Sequence, residues 1–294
     1  MHIIKNTINY YYNLFPKNIF QNTEGYYFFI DNIKYLFKKY DKKIEMIDNI
    51  YNMHIDILNN NLYVHPIILN KDSHPLTIID GNPYILFQIN IINEKISIED
   101  IIPFTQLQVE GNNNNWSELW SKKNDYLEFQ ISELGKNHPL IRDSFSYFIG
   151  LGETAIAIVN NIDVQNHETV YAHNRITDNS FNLYDPTNII KDLKVRDVAE
   201  YFKYKIFKGI NIEEELTIYL NASKLSIYEY MMFFARMIYP TPYFDLYEEI
   251  ITDKIDENNI KELINNIEYY ENTIKKIYHY YKTFINIMPI EWLD

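Results

Sequence analysis

At 294 residues and 47% apolar content, the chain can hold one large domain or two lobes around a real core, and 23% charged residues are too few for a disordered chain. A net charge of -13 excludes broad binding to nucleic acid or to an anionic membrane, because no basic surface is on offer to replace phosphate counterions. With no Cys there is no disulfide framework, no thiol nucleophile and no Cys-ligated zinc site. The eight His include no His-x-x-x-His pair, so no zinc site is expected from them either. No run approaches the roughly 18 apolar residues of a spanning helix. The opening MHIIKNTINYYYNLF lacks the apolar segment and cleavage site of a secretory signal, so synthesis in the cytosol is expected.

Residues 1 to 20 read as a short helix ended by Pro16. From Gly25 to Tyr40, GYYFFIDNIKYLFKKY reads as two strands joined by a turn at Asp31-Asn32. Lys42 to Leu58 carries Ile44, Ile47, Ile50, Tyr51 and Ile55 at helical spacing. Strands are expected over Leu62 to Leu69 and Leu76 to Ile79, and the turn Asp80-Gly81-Asn82-Pro83 leads to another over Tyr84 to Ile91. Residues 1 to 92 therefore predict a small sheet with one helix on it. The remainder, 93 to 294, reads as mostly helical. Ser97 to Gln108 is a linker running into a helix, followed by helices over Trp116 to Leu134 and Ile141 to Asn160. Gly150 and Gly152 lie inside the second of these, where Gly costs about 1 kcal/mol against Ala, so both are expected to allow close packing. Further helices are expected over Ile212 to Leu220, Ser226 to Tyr239, Tyr243 to Ile251 and Asn258 to Ile287.

Val170 to Lys203 reads as a strand, a loop, a second strand, an Asp-rich loop and a helix. His173 opens the first loop, Asp185 follows the apolar end of the expected second strand, and Asp197 sits at an Arg-Asp-Val-Ala helix start. Taken locally, Asp185 either binds a metal or begins an Asp-Pro-Thr-Asn turn. Asp197 is the expected N-cap of a helix Val198 to Phe207 and a brace for the loop before it. Arg175 is expected to form an ion pair with Asp185 or Asp197. Lys38 and Lys39 alternate across a strand, so one faces inward, and Glu45 on the next helix is its expected carboxylate partner.

Four stretches in order, YFIGLGETAI (147 to 156), YAHNRI (171 to 176), DPTNIIKDLKVRDVAEYFK (185 to 203) and FFARMIYPTPYFD (233 to 245), resemble the protein-kinase-like fold of the aminoglycoside phosphotransferase and choline kinase type. More closely, the chain resembles bacterial spore-coat proteins of the CotS and YutH group. The resemblance implies an α+β, two-lobed protein-kinase-like fold, with a small antiparallel-sheet N-lobe and a mostly helical C-lobe. It puts His173 at the catalytic-loop His, Arg175 at the catalytic Asp, and Ser180, with Asn179 beside it, at the metal-holding Asn. Asp185 matches the metal-binding Asp, twelve residues before Asp197, and Lys38 or Lys39 matches the phosphate-contacting Lys. The phosphate-covering loop would fall near Asn22 to Gly25, with a single Gly.

Phosphoryl transfer needs a carboxylate to orient the nucleophile, and a guanidinium cannot accept its proton. The implied function is thus that of a pseudokinase without a cofactor, acting in the spore coat through other coat proteins. The alternatives are an active small-molecule phosphotransferase using ATP and Mg, with Asp178 or Asp192 in the lost role, or a nucleotide-binding module using Lys38 and Asp185 without turnover.

Overall fold

The computed structural model describes residues 2–90, 95–111, 115–162 and 167–294. The elements begin α1 (His2–Tyr12), β1 (Ile19–Gln21), β2 (Tyr26–Ile30), β3 (Ile33–Lys39), α2 (Ile47–Asn59), β4 (Ile67–Ile68), β5 (Leu76–Ile79) and β6 (Asn82–Ile89). They continue with α3 (Ile98–Gln106), α4 (Trp116–Leu134), α5 (Pro139–Asn160), β7 (Thr169–His173), α6 (Ser180–Tyr184) and β8 (Ile189–Leu193). The chain closes with α7 (Arg196–Phe207), α8 (Glu213–Ala222), α9 (Ile227–Ile238), α10 (Thr241–Ile251), α11 (Lys261–Asn265) and α12 (Ile267–Lys282). Two units emerge, one of residues 1–96 with 179–189 and one of 97–178 with 190–294. A segment late in the chain thus packs with the sheet, a grouping that no single boundary along the sequence expresses.

The first unit is built on an antiparallel sheet in the order β1-β2-β3-β6-β4, with β5 also paired to β6. The β2–β3 hairpin turns where expected. Asp31 and Asn32 hold φ of 48° and 67°, a left-handed pair that short polar side chains tolerate and that matches strand twist. α1 lays Ile4 and Ile8, one turn apart, against Phe28, Tyr35, Phe37 and Leu86 of the sheet. Stacked rings, Phe28 on Tyr35 at 5.3 Å and Phe37 on Tyr84 at 5.0 Å, fill that core. The long strand expected from Leu62 to Leu69 is reduced to Ile67 and Ile68. Pro66 has no N–H to give a ladder, and the His65 N–H donates to the Tyr184 carbonyl at 2.8 Å instead of to a strand partner.

The second unit is mostly helical, with β7 and β8 paired as a two-stranded sheet. α4 spans the expected residues. α3 has a reciprocal cap that the linker reading passed over, Ser97 with Asp100. Gly152 packs as expected, since an added Cβ would lie 2.7 Å from Asn124 Nδ2, but Gly150 has nothing within 4 Å and needs no such explanation. α9 is buried on nearly every face, and rings stack beside it at Trp120–Tyr239 (4.4 Å) and Phe148–Tyr243 (3.8 Å). The last expected helix is broken at Asn266. Its side-chain amide donates to the Phe207 and Glu262 carbonyls, a local alternative to helical pairing.

Two other expectations fail near the Asp-rich loop. The segment read as a second strand is the short helix α6, because Asn179 caps it by accepting from the Phe181 N–H. α7 starts at Arg196, not Val198, with Val195 at the cap position. Among the described residues, no helix is long and apolar enough to cross a membrane.

Candidate functional site

In the first unit, β3 turns Lys38 inward and leaves Lys39 exposed. Lys38 does not pair with Glu45. Glu45 sits exposed in a single 3-10 turn, Ile44–Met46, ahead of α2. Instead Lys38 Nζ reaches Asp185 Oδ2 at 2.8 Å, with Asp185 itself buried. Burial pulls the Lys38 pKa down, but the Asp185 charge and hydrogen bond outweigh it, and the net shift is upward. The other carboxylate oxygen of Asp185 accepts from Thr187 N–H (2.8 Å) and Thr187 Oγ1 (2.6 Å), which makes Asp185 the cap of the 3-10 turn Pro186–Asn188. The turn reading of Asp185 is therefore visible in its hydrogen bonds. Lys38 also lies 5.4 Å from the Phe181 ring centroid.

The loop between β1 and β2 closes on itself. Asn22 Oδ1 accepts from the Glu24 and Gly25 N–H groups at 3.1 and 3.0 Å, and Asn22 N–H donates to the Gly25 carbonyl at 2.9 Å. Gly25, at φ 149°, is required there, because a Cβ would meet the Phe37 carbonyl oxygen at 2.7 Å. Two amides that could face a phosphate are spent on an Asn side chain.

In the second unit, His173 ends β7 and is buried. Its backbone N–H and its Nδ1 both meet the Asp197 carboxylate, at 2.8 and 2.6 Å. Asp197 thus braces the loop, as expected, but from the first turn of α7 rather than as its cap. His173 Nε2 is buried without a hydrogen-bond partner among the described residues. Arg175 pairs with neither Asp185 nor Asp197. It forks onto Asp245 of α10, Nε to Oδ2 at 2.5 Å and Nη2 to Oδ1 at 2.7 Å.

The two carboxylates that might replace a catalytic Asp are both engaged. Asp178 accepts from the Tyr204 hydroxyl at 3.0 Å. Asp192 is buried under Arg196 (2.6 Å), Arg236 (3.4 Å) and the Trp116 indole N–H (3.2 Å). Ser180 is the first residue of α6, and Asn179 is spent as its cap.

Sequence reasoning missed Thr187, Asp245 and the charged set Arg196, Glu200, Lys203 and Arg236. One signal was readable. Arg236 lies inside the apolar run MMFFARMI, and a lone charge in such a run is buried and therefore partnered, whereas Lys203 has Glu200 and Lys205 close by in EYFKYKIF and carries no such signal. Lys203 is fully buried and donates to Glu200, to the Arg236 and Tyr239 carbonyls and to Thr241. Burial nonetheless lowers its pKa to about 8, against the raising charge of Glu200.

A family model described as "Spore coat putative kinase YutH" matches residues 5–284. The chain belongs to this family. The "Endospore coat-associated protein YutH" of Bacillus subtilis (strain 168) is 21% identical over 218 residues, 64% of this chain. The match spans 64% of that relative's own length. An aminoglycoside phosphotransferase from Alicyclobacillus acidocaldarius superposes with a TM-score of 0.71 at 8% identity, covering 92% of this chain and 94% of its own. A spectinomycin phosphotransferase, solved with ADP and spectinomycin, gives 0.61 at 11% identity over 94% and 97%. At such identity these likenesses establish the fold, and the fold is the α+β kinase-like one expected.

Whether the first unit suits the metal and nucleotide of that fold can be judged from its donors. Magnesium needs several oxygen ligands in near-octahedral array and usually one or two free carboxylates. Here the relevant carboxylate carries three hydrogen bonds, one from an ammonium, and the neighbouring amide oxygen of Asn179 caps a helix. This donor set does not fit a magnesium–nucleotide site.

Proposed function

We propose that this chain is a catalytically silent kinase-fold protein of the spore coat, acting as a scaffold for other coat proteins and not as a phosphotransferase. The observation that carries the reading is Arg175. By the resemblance of YAHNRI to the catalytic loop it falls where the fold's kinases have their nucleophile-orienting acid, and its guanidinium is engaged by Asp245 on two sides. A guanidinium has five donors and no acceptor, so it cannot take a proton from a substrate hydroxyl at any pH a protein survives. Asp185, held by Lys38 and Thr187, the engaged Asp178 and the buried Asp192 supply no evident replacement. The coat as destination is supported by the chain's membership of the spore coat family and by its coat-associated Bacillus subtilis relative.

Complementation tests the proposal. In a sporulating strain lacking the chain, Asp185→Ala and Lys38→Met proteins that still fold are expected to assemble into the coat and restore its composition as wild type does. Failure of both folded variants to restore it would show that cleft chemistry is required, and the scaffold reading would fall.

A further inference from the structure

Arg236 is 2% exposed, and burial pushes its pKa down to about 10. Buried guanidinium groups ordinarily satisfy most of their five N–H donors. This one makes a single hydrogen bond among the described residues, a long one of 3.4 Å to Asp192, and its Glu200 contact lies at 3.7 Å, beyond hydrogen-bond reach. Its Nε is buried with no partner. The neighbouring Arg196 is the reverse case, with Nε, Nη1 and Nη2 all engaged by the His173 carbonyl, Asp192 and the Asn174 carbonyl. Both guanidinium carbons lie over Trp116, Arg236 at 4.0 Å and Arg196 at 5.0 Å from its centroid.

Arg236 is nearly wholly buried, yet it borders an opening. It lines a cavity of about 310 Å³ wholly within the helical unit. Trp116, Trp120, Tyr239 and Phe244 supply the aromatic surface of that cavity. Its charged lining is Lys123, Arg175, Arg196 and Arg236 against Glu200 and Asp245, so cations outnumber carboxylates in a chain whose net charge is -13. Asp192, beneath the arginines, offsets part of this excess but is consumed by them. Missing acceptors on a buried Arg, excess positive charge and flat aromatic surface specify one kind of occupant. It brings oxygen acceptors for the guanidinium and a flat apolar body for the rings.

We propose that this cavity is a binding site for a small oxyanion, a carboxylate or phosphate, carried on a flat apolar body, with Arg236 as its anchor. The cavity is lined in part by Asn174 and Arg175 of the loop after β7, so it adjoins the position on which the scaffold reading turns, but the proposal rests on Arg236 and not on that reading.

Two of the chain's three Trp, 116 and 120, line the cavity, so intrinsic fluorescence reports occupancy directly. The full chain is titrated with benzoate, phenyl phosphate, acetate and inorganic phosphate, with calorimetry in parallel. Benzoate or phenyl phosphate is expected to give a saturable change, at least about tenfold tighter than its counterpart without a ring. Which aromatic probe wins identifies the anion as carboxylate or phosphate. Arg236→Met is expected to weaken binding at least about tenfold. Lys123→Glu, at a partly exposed rim position that can change without loss of fold, is expected to weaken it several-fold. No saturable signal with any probe at tens of millimolar would make the cavity a hydration site and overturn the proposal. So would binding that Lys123→Glu and a folded Arg236→Met both leave unchanged.

Discussion

The sheet unit and the helical unit treat their buried charges in opposite ways. In the sheet unit Asp185 is met by Lys38 and twice by Thr187. In the helical unit Asp192 is shared by Arg196, Arg236 and Trp116, and Arg236 is left short of acceptors beside a cavity. A carboxylate held by three donors of its own unit acts as a structural part. A guanidinium that lacks its acceptors invites a ligand. The helical unit thus keeps a polar opening beside Arg236, while Asp185 of the sheet unit is engaged by its own unit's side chains.

Removing the shared carboxylate is expected to have the largest effect. Asp192→Ala leaves two buried guanidinium groups uncompensated and is expected to cost about 3–5 kcal/mol in chemical unfolding. A loss below about 1 kcal/mol would mean the arginines are not held by it. Acid comes next, and it acts on the sheet unit. Burial lowers the pKa of both His54 and His65 to about 4, with minor opposing charge from Asp185 at His65. The unfolded chain therefore binds more protons between pH 6.5 and 4. The stability due to these two His is complete above about pH 6.5 and is lost as pH falls toward 4, by up to about 3 kcal/mol each. Unfolding followed at pH 7 and pH 4.5 reads it, and His65→Asn should flatten the dependence by about half. A profile unchanged in that variant would mean His65 is not held neutral.

Lys38→Met is expected to cost less, about 1–2 kcal/mol, since Asp185 keeps its two Thr187 donors. Arg175→Ala should cost least, about 0.5–1 kcal/mol, because the Arg175–Asp245 pair is roughly half exposed on both sides. A thermal shift for Arg175→Ala larger than that for Lys38→Met would reverse the ranking and give the Arg175 fork a role in holding the fold.

Local chemistry was legible in the sequence and long-range pairing was not. The Asp31-Asn32 turn, the length of α4 and the start of α10 near Pro242 follow from turn residues, apolar period and proline placement. α6 was misread because FNLY is apolar and short, where strand and helix cannot be told apart by period, and the capping Asn179 was the overlooked signal. Lys38 finds Asp185 across 147 residues and Arg175 finds Asp245 across 70, so the nearer carboxylates named for each, Glu45 and Asp185 or Asp197, were wrong for a reason no spacing rule contains. The deficit at Arg236 lies further out of reach, because it depends on which acceptors are absent in three dimensions.

If Lys38, Asp185 and Thr187 hold one another as proposed, a magnesium-bound nucleotide finds no open carboxylate there. Calorimetry of the full chain with ATP, with and without magnesium, on wild type and Asp185→Ala tests it most directly. No magnesium-dependent binding at millimolar ATP is expected in either protein. Magnesium-dependent binding in wild type that Asp185→Ala abolishes would contradict it, and would mean that Asp185 leaves Lys38 and Thr187 to take up a metal.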